Sequence, residues 1–279
     1  MESLTITVAG LGLIGGSMAM AWHARTEHTV RGWARRPETR EEALRRGAID
    51  RVCTEEQLPE TDVLVLALPP RATVAFLEQH AAALRPDTIV TDVCGIKRPI
   101  VDACTALCEA HGAWFLGGHP MAGKERSGLA NAEATLFERA SYILTPTERT
   151  PEWVVARMTA LAEQLGSTVT VTTPAHHDRM IAYTSQLPHV LAGAYVKSPS
   201  CPLHRGYSAG SYRDVSRVAA VDENLWTELF LMNAAPLCTE IDTLIGNLQA
   251  CREAIAAGDE ERLRALLRES REIKEKDYL

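Results

Sequence analysis

The chain has 279 residues, 46% of them hydrophobic and 23% charged, with 36 acidic against 29 basic residues and a formal net charge of -7. That length holds one large domain or two smaller ones, and the acidic balance, with no basic stripe, excludes a nucleic-acid binder, which needs positive surface to release phosphate counterions. No apolar run approaches the roughly 20 residues of a membrane span, and Met1 is followed by Glu2 rather than a basic segment, so a cytoplasmic protein without membrane contact is expected. Seven cysteines with no C-x-x-C pair fit reduced thiols better than a disulfide scaffold. Cys104 and Cys108 read as packed thiols on one helix face, because no third or fourth metal ligand lies near them; no metal site is expected.

Up to about residue 172, short apolar runs alternate with helical stretches: 4–9, 29–33, 62–68, 88–91, 114–116, 142–144 and 169–171. Runs apolar throughout belong to strands buried on both faces, which predicts an α/β fold with a doubly wound, mostly parallel sheet. Beyond Pro174 the strand signals stop. The stretch 224–251 reads as one long helix, and Asp259 is placed to cap a last one whose Leu263, Leu266, Leu267 and Ile273 form a stripe. The expected division is a dinucleotide-binding domain over 1–172 and an all-helical substrate and dimerisation domain over 173–279. Leu225, Trp226, Leu229, Phe230, Leu231 and Met232 offer apolar surface almost all round their helix. Such a helix must be buried, and a homodimer through the C-terminal helices would bury it.

The segment Gly10-Leu11-Gly12-Leu13-Ile14-Gly15 follows the first strand directly and opens a helix expected over 16–25. The first glycine makes a tight turn, the second lets the backbone approach a pyrophosphate, and the third permits close helix–strand packing. The helix N-terminus then offers N–H groups and positive dipole to the phosphates. Strand, loop and helix in that order make the sheet Rossmann-like and the ligand a dinucleotide. An NAD-selective site usually ends its second strand with an acid for the ribose 2′-hydroxyl. Here that strand ends in Ala34-Arg35-Arg36, two guanidiniums suited to a 2′-phosphate, so NADP is favoured over NAD; the alternative is that both arginines are the exposed start of a helix over 37–46. Pro69 and Gly95, just past two further strand ends, complete the candidate cofactor set.

Four more segments place polar residues beside turn-forming ones: Asp92-Val93-Cys94-Gly95-Ile96-Lys97, Gly117-Gly118-His119-Pro120-Met121-Ala122-Gly123, Ser185-Gln186-Leu187-Pro188-His189 and Tyr212-Arg213-Asp214-Val215-Ser216-Arg217. With the loop at Gly10 they occur in the order found in the prephenate and arogenate dehydrogenase family, which the chain resembles from Val8 to about Asn233. The resemblance implies NAD(P)-dependent oxidative decarboxylation of prephenate to 4-hydroxyphenylpyruvate, or of arogenate to tyrosine. A group must then accept the C4 hydroxyl proton as hydride leaves, and histidine, with an ordinary pKa near about 6.5, suits that role. His119 is the candidate base, expected in a glycine-rich turn after the strand ending at Leu116. Arg213 matches the family's carboxylate-binding arginine. Ser185, Gln186 and His189 are the other candidate substrate contacts, with Ser185 and His189 on one helix face and a kink expected at Pro188. His177 and Asp178 read as supporting residues, a structural role for His177 being as good a reading as a functional one.

Two departures stand out. Many members of the family carry serine where this chain has Gly95, and many have histidine where it has Gln186, which cannot titrate but can donate a hydrogen bond. An appended regulatory domain or a fused mutase has no room, so any inhibition by tyrosine is expected at the active site. The competing reading is another two-domain NADP-dependent enzyme, a 3-hydroxy-acid dehydrogenase or imine reductase, against which the setting of His119 weighs.

Overall fold

The computed structural model describes residues 2–124 and 126–276. Its strands are β1 (Thr5–Ala9), β2 (Thr29–Trp33), β3 (Arg51–Val52), β4 (Val63–Leu66), β5 (Ile89–Asp92), β6 (Trp114–Pro120), β7 (Ser141–Thr145) and β8 (Thr168–Val171). They form one sheet in the order β3-β2-β1-β4-β5-β6-β7-β8. Every pairing is parallel except β6 with β7. The helices are α1 (Leu13–Arg25), α2 (Pro37–Arg45), α3 (Pro70–His80), α4 (Arg98–Glu109), α5 (Glu152–Gln164), α6 (Pro174–Ile181), α7 (Leu187–Tyr195), α8 (Gly210–Ser216), α9 (Glu223–Met232), α10 (Ala234–Ala257) and α11 (Glu260–Lys276). The expected Rossmann-like sheet followed by a helical region is what forms.

The doubly wound character is written into β4. Val63 and Val65 join the core cluster of Ile6, Val8, Trp22 and Leu161, while Leu64 and Leu66 join that of Val90, Ile100, Cys104 and Phe115. Successive side chains of a strand point to opposite faces, so an unbroken apolar run is what a sheet covered by helices on both sides demands. Cys104 and Cys108 are fully buried in the second cluster; burial pushes the Cys108 thiol up to about 12, and no metal-ligating group of three occurs among the described residues. No described helix is long and apolar enough to cross a membrane.

Three details depart from the expectations. The edge strand β3 is only two residues long and gives no periodic signal. β6 runs on to Pro120, so His119 sits within a strand, opposite Ile143 of β7, rather than in a turn. The stretch 224–251 is two helices, because Asn233 leaves helical geometry (φ -117, ψ 28) and its side-chain amide donates to the Asp178 carbonyl at 2.9 Å. Where a kink is expected at Pro188, residues 182–186 form a π-turn and Pro188 lies in the first turn of α7, where its missing N–H is harmless.

By compactness the chain divides into one unit of residues up to Ile181 with 220–233, and a second of 182–219 with residues from 234 on. The first therefore extends past residue 172 to take in α6 and α9. In it, Leu229 and Met232 of α9 pack against the second core cluster, but Leu231 is 66% exposed, and no α9 residue is fully buried within the single chain. In the second unit, Gly258 at φ 64 ends α10 and the Asp259 carboxylate caps α11 by accepting from Arg262 N at 2.9 Å. Ile245, Leu248 and Ile255 of α10 and Leu267 and Ile273 of α11 remain exposed.

Candidate active site

The first half of the site is backbone. Gly10 N–H donates to the Trp33 carbonyl at 2.8 Å, which ties the loop after β1 to the end of β2. Gly10 has φ +100, and a Cβ there would stand 2.2 Å from the Ala67 carbonyl oxygen, so both conformation and close approach require glycine. A Cβ on Gly15 would stand 2.0 Å from the Gly10 carbonyl oxygen. Gly12 differs: nothing lies within 4 Å of its Cβ position, and as the N-cap of α1 it offers no side chain to the first-turn N–H groups. That open cradle at a helix N-terminus fits a pyrophosphate. Leu11 and Leu13 are buried, which makes them packing residues whose backbone alone faces the loop.

Arg35 and Arg36 are both exposed, at the end of β2 and the start of α2. Pro69 is the N-cap of α3, and its carbonyl accepts from Thr73 N at 2.9 Å. Gly10, Arg35, Pro69, Gly95 and His119 thus follow or end β1, β2, β4, β5 and β6, which run parallel, and ligands of open α/β sheets bind at that carboxyl edge.

The second half is a polar network beneath His119. Gly117 and Gly118 precede it because a Cβ at either would meet neighbours at 2.4 Å (Thr145 Oγ1) and 2.7 Å (Asp92 O). Asp92 and Lys97 are both fully buried and pair with each other. Asp92 also accepts from Gly118 N at 3.1 Å and Cys94 N at 2.9 Å, clamping the loop after β5 to β6 immediately before His119. Removing one member of such a pair costs roughly 3–5 kcal/mol because the other is left as an uncompensated buried charge. His119 Nδ1 lies 2.9 Å from His177 Nε2, and His177 Nδ1 lies 2.8 Å from Asp178 Oδ1. Asp178 in turn accepts from Lys97 N at 2.7 Å and Arg98 N at 2.8 Å. Burial, then the neighbouring His177 and Lys97, hold His119 well below the usual histidine range; burial also lowers His177, against the opposing effect of its hydrogen bond to Asp178. The far nitrogen of His119, Nε2, is 3.8 Å from a Cβ placed on Gly95.

The remaining candidates lie in the second compact unit. His189 Nδ1 donates to the Ser185 carbonyl at 2.8 Å, one turn back as their spacing requires. Gln186 is buried and Ser185 half-buried. Arg213 is exposed on α8, beside Tyr212, whose ring stacks on His204 at 4.2 Å. Sequence alone gives Asp92 and Lys97 no role and does not pair His177 with His119; its only signal is a carboxylate and a lysine five residues apart at a strand end.

Two family models match the chain: "Prephenate dehydrogenase, nucleotide-binding domain" over residues 18–171, and "Prephenate dehydrogenase, dimerization domain" over 173–269. The chain belongs to the prephenate dehydrogenase family. Its relatives include the cyclohexadienyl dehydrogenase of Zymomonas mobilis, 33% identical over 96% of this chain and 94% of that one. Among solved structures, the arogenate dehydrogenase of Synechocystis superposes with a TM-score of 0.85 at 30% identity, covering 99% of this chain and 100% of the other. The prephenate dehydrogenase of A. aeolicus, solved with hydroxyphenyl propionate and NAD+, gives 0.89 at 27% identity over 100% and 99%. A prephenate dehydrogenase family member with this nucleotide-binding domain is an oxidoreductase of the prephenate and arogenate dehydrogenase type, which sets aside the 3-hydroxy-acid and imine reductase readings.

Proposed function

We propose that this enzyme removes hydride and carbon dioxide from prephenate or arogenate, with His119 as the general base and NADP as the favoured oxidant. The observation that carries the reading is an imidazole at the carboxyl edge of the sheet, its Nδ1 engaged by His177 and its Nε2 turned toward Gly95. When bound, the nicotinamide cofactor supplies the hydride acceptor. Gly10, Gly12 and Gly15 shape the loop for its phosphates, with Leu11, Leu13 and Ile14 carrying the backbone, and Pro69 and Gly95 border the same edge. His119 Nε2 takes the C4 hydroxyl proton as carbonyl character develops there, a contribution of roughly 10²–10⁴-fold. Loss of carbon dioxide then aromatises the ring and drives the step forward. Arg213 binds a substrate carboxylate through its planar fork, and Ser185, Gln186 and His189 are the other substrate contacts. The exposed Ile245, Leu248, Ile255, Leu267 and Ile273 supply apolar surface for a homodimer through the C-terminal helices, as the second family model's description suggests.

The test is a comparison of initial rates with prephenate and arogenate, each with NADP and NAD, on purified protein. Turnover with one pair supports the reading; no turnover with any of the four overturns it. The doubly substituted Arg35→Ala, Arg36→Ala enzyme is expected to lose about tenfold or more of its NADP-over-NAD preference in kcat/KM, since each charge-assisted contact to a phosphate contributes roughly 1.5–3 kcal/mol. An unchanged preference assigns both arginines to the exposed start of α2 instead.

Gly95→Ser tests the geometry around His119. The added Cβ meets Leu229 at 3.7 Å and His119 Nε2 at 3.8 Å, ordinary contact distances, so the variant folds and its hydroxyl reaches the base. A hydrogen bond that helps hold the C4 oxygen there is expected to raise kcat/KM by up to roughly tenfold. A fall in kcat/KM with an unchanged melting temperature would show that the space at Gly95 is needed by substrate.

A further inference from the structure

An imidazole can serve as a base at Nε2 only in the tautomer that carries its proton on Nδ1, and in a neutral histidine the two forms are close in energy until a neighbour chooses between them. Building on the assignment of His119 as the base, we infer that His177 and Asp178 are positioning residues that lock His119 into the Nδ1–H tautomer and present its Nε2 lone pair to the substrate.

The direction of every bond in the chain follows from its far end. The backbone N–H groups of Lys97 and Arg98 are obligate donors, and both converge on the Asp178 carboxylate, Lys97 N at 2.7 Å on Oδ1 and Arg98 N at 2.8 Å on Oδ2. They open α4, whose N-terminal dipole favours the ionised carboxylate. An ionised carboxylate only accepts, so His177 Nδ1, at 2.8 Å from Oδ1, is the protonated nitrogen of that ring. His177 is fully buried, and burial favours its neutral form. Its Nε2 therefore bears a lone pair and accepts at 2.9 Å from His119 Nδ1. His119 Nε2 is then the unprotonated nitrogen of its own ring, on the side of Gly95.

The charged groups facing the two rings are Lys97, Asp92 and Asp178. Lys97 is held by Asp92, so the carboxylate in line with the rings is that of Asp178, where it stabilises the His119 cation formed on proton uptake. Asn233 fixes the remaining freedom by donating to the Asp178 carbonyl at 2.9 Å, so α6 is pinned from both α4 and α9. Sequence alone pairs His177 with Asp178 as neighbours; only the fold puts residue 119 on the other side of that ring.

The test uses His177→Leu and His177→Gln in the full chain. Leucine removes the acceptor, and kcat is expected to fall about 10²-fold while cofactor Kd is unchanged. Glutamine offers an amide oxygen near the position of Nε2 and should restore kcat to within about tenfold of the parent. Ring-nitrogen NMR shifts, with His119 assigned by its loss in His119→Asn, should show a protonated Nδ1 and bare Nε2 in the parent and mixed tautomers in His177→Leu. Parent-like kcat in His177→Leu, glutamine no better than leucine, or Nε2–H in the parent enzyme overturns the inference. Should leucine prevent folding, the parent shifts and the glutamine variant decide alone. Retained turnover in His119→Asn overturns the base assignment instead, and the parent NMR shifts still report whether His177 sets the tautomer.

Discussion

His119→Asn is expected to lower kcat by roughly 10²–10⁴-fold, the range that a positioned general base contributes, while cofactor binding stays as it was. Asparagine keeps a donor to His177 Nε2 and similar bulk, and β6 holds the position by pairing with Ile143 and by the Asp92 clamp on Gly118, so the loss is of a lone pair rather than of structure. The pH dependence follows from the direction of the shift. Because burial, His177 and Lys97 depress the His119 pKa, the free base prevails throughout the neutral range, and parent activity falls only as pH drops below about 6.5 toward the depressed value. That acid limb should vanish from the residual activity of the variant. The same depression governs stability: the neutral rings are favoured by the fold, so their contribution is full above the unfolded pKa of about 6.5 and is lost as pH falls toward and through the folded value. Turnover in His119→Asn within a few-fold of the parent, or an acid limb that persists unchanged, would remove His119 from the reaction.

Much of this fold is legible in the sequence because the central strands carry their own burial signature. β2 matches its apolar run residue for residue, and β4 declares a two-faced sheet through four consecutive apolar residues. What is not legible depends on partners distant along the chain. Arg51–Val52 becomes a strand only because β2 offers it an edge. The second half of β6 is extended because β7 returns antiparallel against it, and nothing in Gly-Gly-His-Pro announces that pairing. The break at Asn233 answers a hydrogen bond to Asp178, 55 residues earlier. The site shows the same division: the glycine loop is local and reads directly, His119 reads through its setting and the family pattern, whereas the partnership of His119 with His177 spans 58 residues and needs the fold.

Within the glycine loop, two substitutions of identical chemistry should fail in different ways. Gly15→Ala is expected to destabilise the enzyme by several kcal/mol, beyond the usual ~1–3 kcal/mol of an overpacked core, because its Cβ would stand 2.0 Å from the Gly10 carbonyl oxygen, 2.7 Å from Ala67 Cβ and 3.1 Å from Val8. The first of these is backbone whose own position is fixed by the Gly10–Trp33 hydrogen bond, so neither side can yield without opening the loop. Gly12→Ala meets nothing within 4 Å and keeps a permitted φ of -92. Alanine is only a poorer N-cap, at about 0.5–1 kcal/mol, which is a fall of a few degrees in Tm for a chain of this size. Its methyl group would instead occupy the space that a pyrophosphate needs beside the first N–H groups of α1, so cofactor Kd should rise about 10²-fold. Melting curves and cofactor titrations on the two variants check the contrast. A Gly12→Ala enzyme that binds cofactor as the parent does would place the pyrophosphate elsewhere, and a Gly15→Ala enzyme of parent stability would mean that the loop can spread at little cost.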